Sequence, residues 1–299
     1  MNKTEFLNQP HLIHFIEWAS NTSLSLLCSL DIGHSAKVPG GIQANCVGLD
    51  DVLAHYAWNA SWSDGEHKHA SCDWQSTKQS LQALASFLQE AVASGDQRRA
   101  LHACLSILKW GGDRNSSVGA TPQLEALAAD NLLIEYLLSS RRTFELTNGD
   151  LSQFHAIQFA GSMWTKIYAL NSFDGLPIYD SRVGAAMAAL VEVYRVQTGR
   201  NWQSVPEELN FKIERYRNRT VKRLNSEGLS PGHMRRASPN FAVNWSSATT
   251  RLAWLIQAVL ERQPALFTDE ETQVDKMHAF EATLFVMGYD TLSLAPNLT

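Results

Sequence analysis

Apolar residues recurring at helical spacing dominate this chain and limit what it can become. Leu81, Leu84, Ala85, Leu88, Ala91 and Val92 follow the i, i+3, i+4, i+7 rhythm of one buried helix face. Leu101, Cys104, Leu105 and Leu108 continue it until Gly111-Gly112 stops the segment. Thr121-Pro122, a cap residue followed by proline, predicts a further helix running to about Ser140. Val183, Ala186, Met187, Leu190, Val191 and Tyr194 mark another, as do Leu252, Leu255, Ile256 and Val259. Thr268 and Glu271 have the spacing of a capping box ahead of a last helix through Phe285. Strand signals are sparse, and residues 22–60 are where short strands would fit. The expected fold class is therefore mainly α, with a small irregular N-terminal region. A boundary near Gly112–Thr121 would separate an N-terminal helical region, 1–112, from 113–299, unless both form one helical body.

Composition narrows the class. With 44% hydrophobic and 18% charged residues, the chain has an ordinary globular balance. It lacks a signal-peptide pattern and any apolar run of membrane-spanning length, so a soluble cytoplasmic protein with no membrane partner is expected. Cys28, Cys46, Cys72 and Cys104 match no C-x-x-C or iron–sulfur spacing and read as reduced, mostly buried thiols. The net charge of −5 is unevenly spread. Between Lys212 and Arg236, eight basic residues oppose only Glu214 and Glu227, leaving that stretch at +6 and the remainder at −11. Lys212, Arg215, Arg217, Arg219, Lys222, Arg223, Arg235 and Arg236 form the band, which could follow a phosphate backbone with Tyr216 stacking, or be a solvated surface.

The middle of the chain carries the chemistry. Asp150-Leu-Ser-Gln153 is a helix-start pattern, and Leu151, Phe154 and Ile157 line one side of a short helix expected to end at Gly161. A second helix with Met163, Trp164, Lys166, Ile167 and Tyr168 should begin within a few residues, making a helical hairpin. After Asp174-Gly175 the chain reaches Pro177-Ile-Tyr-Asp180, and Asp180 immediately precedes the periodic helix Ser181–Tyr194. A carboxylate at a helix N-terminus suits stabilisation of positive charge on a sugar, and an amine 14 residues earlier could attack that sugar. Taken singly, Asp180 is equally an ordinary N-cap and Lys166 an ordinary surface lysine.

Gly161-Ser-Met-Trp-Thr-Lys166 followed by Pro177-Ile-Tyr-Asp180-Ser-Arg-Val183 resembles the core of the helix-hairpin-helix DNA glycosylase superfamily. More narrowly, Lys109-Trp-Gly-Gly112, Pro177–Val183 and the stretch from Asn244-Trp245 to Trp254 resemble bacterial proteins of 8-oxoguanine glycosylase fold. Such proteins include antiviral enzymes that attack hypermodified phage bases such as glucosylated hydroxymethylcytosine. The resemblance implies Asp180 as the essential carboxylate and Lys166 as the amine nucleophile. It also implies a flipped-base pocket involving Lys109, Trp110 and Trp164, and DNA contacts from Gly161, Arg182 and the basic band. The implied partner is double-stranded DNA containing a modified base, and no cofactor or metal is expected. Met163 and Trp164 stand where that family's turn carries its second glycine.

Other readings compete. Lys109-Trp-Gly-Gly112 also reads as a plain helix C-cap with an anchoring tryptophan. Glu66, His67, His69, Cys72 and Asp73 are metal-ligand types without a zinc spacing and suit a polar loop. Trp58, Trp62 and Trp74 flank it, placed to pack on the helical body or to wall a cleft. No phosphate-cradling loop of NTPase type occurs. The alternatives to an enzyme are a non-catalytic DNA-binding or lesion-sensing module and a helical protein in which Asp180 is only a cap.

Overall fold

The computed structural model of the protein describes residues 1–113, 117–214, 218–225 and 227–298, with backbone alone at 214 and 218–220. In chain order come α1 (Lys3–Leu7), α2 (Pro10–Thr22), β1 (Leu27–Ile32), β2 (Ile42–Val47) and α3 (Leu49–Ala54). A hairpin of β3 (Ala60–Ser63) and β4 (Lys68–Ser71) leads into α4 (Trp74–Ser94), α5 (Gln97–Trp110), α6 (Ala120–Ala129) and α7 (Leu133–Thr143). Then follow α8 (Trp164–Asn171), α9 (Ser181–Gln197), β5 (Ile213–Glu214), α10 (Asn218–Leu224), β6 (His233–Met234), α11 (Phe241–Arg262) and α12 (Gln273–Met287). The protein is mainly α, as its periodicity requires.

Local chemistry sets the boundaries. Asp73 accepts from the Ser76 backbone N–H while Ser76 returns the bond, so α4 starts with reciprocal capping. It ends at Gly95, whose φ of +73° closes the helix in the left-handed region, and Asp96 caps α5 at once. The helix expected over 121–140 is two helices. Asn131, at φ +57°, interrupts it, with the Leu132 N–H bonded to the Leu127 carbonyl at 2.8 Å and the Asn131 N–H to that of Ala128 at 3.1 Å. That is the Schellman arrangement, and asparagine tolerates the conformation it needs. The last helix also starts later than Thr268 and Glu271 suggest: Thr272 is its cap and accepts from the Asp275 N–H. Phe267 turns the chain at φ +53°, and the neighbouring Glu270 carboxylate is held by Trp74 Nε1 at 2.7 Å and Lys78 Nζ at 2.9 Å.

The short strands expected within residues 22–60 include β1 and β2, paired antiparallel with Cys28 opposite Cys46. The Glu66–Asp73 segment is partly β4 rather than wholly loop, and His69 stacks on Trp62 at 4.0 Å while bonding Asp64 at 3.1 Å. One apolar core runs from Phe6 to Leu294 and takes residues from both sides of Gly112–Thr121. Among the described residues, no helix is long and apolar enough to cross a membrane.

One buried group makes stability depend on pH. Burial pushes His278, on α12, from an ordinary 6.5 down to about 4, against a partial opposing pull from Asp275. Between those values the unfolded chain binds a proton that the folded chain refuses, so stability is present above pH 6.5 and is lost as pH falls toward 4. Urea midpoints measured at pH 7 and pH 5 should fall for the wild type and fall less for His278→Gln. Equal falls would mean that His278 does not carry the effect.

Candidate functional site

α8 is buried on every side, all eight residues from Trp164 to Asn171. Lys166 is only 5% exposed, and its Nζ donates to the Ser162 carbonyl at 2.7 Å. Behind α8 the chain returns through Pro177–Asp180, and the Tyr179 N–H donates to Thr165 Oγ1 at 3.0 Å. Trp245 Nε1 holds the Tyr179 carbonyl at 3.0 Å from the other side. Those bonds place Asp180, 5% exposed, in the space that Lys166 occupies. Asp180 is indeed the N-cap of α9: its Oδ1 accepts from the Arg182 N–H at 2.7 Å and the Val183 N–H at 3.1 Å. Its second oxygen lies 3.8 Å from an Arg182 guanidinium nitrogen.

Lys166, Asp180 and Arg182 line one cleft of about 200 Å³, together with Glu281 from α12. Tyr56, Trp58, Trp74, Trp110 and Phe285 wall it, so polar groups converge inside an aromatic box. Ligand sites commonly have this composition. The Arg182 guanidinium sits over the rings of Tyr289 at 4.3 Å and Phe285 at 4.9 Å, where the ring faces favour a cation. Burial pushes the Lys166 amine below its ordinary range, against the pull of Asp180 and Glu281. Burial also raises the Glu281 carboxyl well above its ordinary range, and the Asp180 charge adds to the rise. Glu281 lines the cleft beside Ile178, in the step that carries Asp180.

Gly111 has a spatial role in this arrangement. Its φ of −65° suits any residue, but a Cβ there would lie 2.7 Å from Lys166 Cδ and 2.9 Å from Cε. The glycine is both the C-cap of α5 and the opening through which the lysine passes. Trp110 is 4% exposed and walls the cleft, with its carbonyl accepting from Trp58 Nε1 at 3.0 Å.

The remaining sequence candidates are distributed as follows. Trp164 does not line this cleft. It donates to Gln123 Oε1 at 2.6 Å, stacks on Phe159 at 5.0 Å and faces an adjoining groove of about 470 Å³. Ser162 and Met163 line both spaces, and Gly161 and Arg236 border the groove. Lys109 is exposed at the end of α5 and lines neither. Lys222, Arg223, Arg235 and Arg236 are exposed, whereas Arg217 and the side chain of Arg219 lie outside the described residues, as do Arg215 and Tyr216. The expected hairpin differs in detail. Its first arm is a 3-10 helix, Leu151–Ala156, which stops short of Gly161, and residues 157–163 lead to α8. Tyr136 and Tyr168, bonded to each other at 2.6 Å, explain this: their hydroxyls hold the Phe159 N–H and carbonyl at 3.3 and 2.7 Å. Gly161 then turns the chain at φ +122°, a value that glycine adopts without strain.

Set against protein-family models, curated proteins and solved structures, the chain finds no match. The site must therefore be read from its own chemistry.

Sequence reasoning missed Glu281, which has no motif around it and lies 101 residues beyond Asp180. It placed Trp58 and Trp74 as possible cleft walls, which they are, while Trp62 packs inward with Nε1 on Ser80 at 2.6 Å. Among the described residues, Cys46, Asp51 and His55 bring ligand-type atoms within 4.8 Å of one another. Their own bonds account for that approach: His55 Nδ1 meets the Asp51 carbonyl at 2.9 Å, and the Asp51 carboxylate accepts from the Val47 N–H at 2.9 Å.

Proposed function

We propose that the protein is a DNA glycosylase that excises a modified base, with glucosylated hydroxymethylcytosine of phage DNA, in antiviral defence, as one candidate substrate. The observation that carries this reading is the meeting of Lys166 and Asp180 in one buried, aromatic-walled cleft. A flipped base needs flat apolar walls, and Trp58, Trp74, Trp110 and Phe285 supply them. Breaking the bond between C1′ and the base leaves positive charge on the sugar, and the Asp180 oxygen that takes no backbone bond is available to stabilise it. The adjoining groove, bordered by Gly161 and Arg236, is where the strand flanking an extruded nucleotide would run.

Lys166 decides between two outcomes of the same reaction. Its amine is unprotonated more often than an exposed lysine's, because burial disfavours the charge. It can then attack C1′ and form a Schiff base, which water would otherwise pre-empt. Borohydride added during turnover should trap a covalent protein–DNA adduct that Lys166→Gln cannot form. Base release without any adduct would assign the enzyme to water-based excision alone. Incubating the protein with modified DNA and counting abasic sites tests the reading as a whole, and DNA retention without base release would point to a lesion-sensing module instead.

A further inference from the structure

Glu281 is a buried acid in the cleft that neither the nucleophile nor the charge-stabilising role uses. It is 6% exposed and comes from α12, where it lines the cleft beside Ile178 and Asp180. From the other elements around the cleft it faces Lys166 on α8, Asp180 and Arg182 at the start of α9, and Tyr56 beyond α3. Two carboxyls thus share one enclosed space with different surroundings. Asp180 has two backbone N–H donors and a nearby guanidinium. Glu281 has a buried position and the Asp180 charge opposing its own. Environments that separate a pair of carboxyls in this way divide acid from base between them.

Resting on the glycosylase reading, we infer that Glu281 is a further catalytic residue, the acid that protonates the departing base. In the step, the bond from C1′ to the base nitrogen breaks and its electron pair goes to the base. The Glu281 O–H gives its proton to a heteroatom of that base, so the leaving group departs neutral. Asp180 faces the positive sugar meanwhile. A water oxygen, or the Lys166 nitrogen, then bonds to C1′, and the proton it sheds returns to the Glu281 carboxylate. Nothing beyond DNA and water is consumed on the water route. Burial, the first cause, raises the Glu281 carboxyl well above the ordinary carboxylate range and so favours the form that carries the proton.

The test follows base release by wild type, Glu281→Gln and Asp180→Asn from duplex DNA carrying glucosylated hydroxymethylcytosine or 8-oxoguanine, from pH 6 to 8. Glutamine keeps the size and a carbonyl oxygen but has no acidic proton to give. The expected result is a loss of about 10²-fold or more at pH 8, with the remaining rate rising as pH falls because solvent must supply the proton. The wild-type rate should rise less steeply over the same range. Release by Glu281→Gln at the wild-type rate overturns the assignment. So does a slow rate with the wild-type pH profile, which marks a structural role. If wild type releases no base from either DNA, the glycosylase reading fails and takes this one with it. The wild type alone provides a second measurement should the variant not fold: heavy water should slow single-turnover release by about twofold, and no slowing contradicts proton transfer in the step.

Discussion

Asp180→Asn should keep the fold and lose base release. The two jobs of this residue separate cleanly in that variant. Asparagine caps a helix about as well as aspartate, so the bonds from the Arg182 and Val183 N–H groups survive and stability should change by less than about 1 kcal/mol. The charge is gone, however, and with it the stabilisation of a positive sugar. Removing a single such electrostatic group typically costs about 10²–10³-fold in rate. Release from modified DNA should fall by at least that factor while the thermal midpoint stays put. Asp180→Ala should lose both, since the cap is worth about 1 kcal/mol. If Asp180→Asn works at the wild-type rate, Asp180 is a cap and nothing more.

Gly288→Ala should be strongly destabilising. Gly288 ends α12 with an ordinary φ of −78°, so backbone freedom is not its purpose. A Cβ at this position would press into the Arg182 carbonyl oxygen and stand 2.5 Å from its carbonyl carbon. Backbone cannot swing aside as a side chain can. Relieving the clash must push the end of α12 away from the start of α9, at a cost of about 3 kcal/mol. For a chain of this size the thermal midpoint should drop by about 6 °C or more. The same displacement separates Glu281 from Asp180 and Arg182, because those residues sit on the two elements being forced apart. Base release should therefore fall further than the loss of folded protein explains. An unchanged midpoint would show that α12 and α9 do not meet as closely as described.

Among the helices legible in the sequence, α4 and α5 owe it to one wet face. α4 and α5 keep polar residues outside, so their apolar positions repeat at 3–4 residue spacing. α8 has no such rhythm, because neighbours bury it all round, and it is the helix that carries Lys166. The α6–α7 break lies at Asp130-Asn131, turn-favouring residues that carry no glycine or proline to mark the stop. At the site, Asp180 was visible through its position before a periodic helix, and Lys166 through a glycine turn upstream. Gly111 was visible as a helix stop but not as the gap for a lysine 55 residues later. Glu281 was invisible for the same reason: its partners are neighbours in space alone, and a glutamate inside a helix carries no pattern of its own. Trp164 illustrates the reverse error risk, since a tryptophan beside a catalytic candidate faces the neighbouring groove instead.

The most direct measurement is an abasic-site count. Purified protein is incubated separately with unmodified DNA, 8-oxoguanine-containing DNA and glucosylated phage DNA, with Asp180→Asn run in parallel. The glycosylase reading predicts abasic sites in at least one modified DNA, few in the unmodified one, and none above background with Asp180→Asn. Abasic sites in none of the three, or the same yield from the variant, would contradict it.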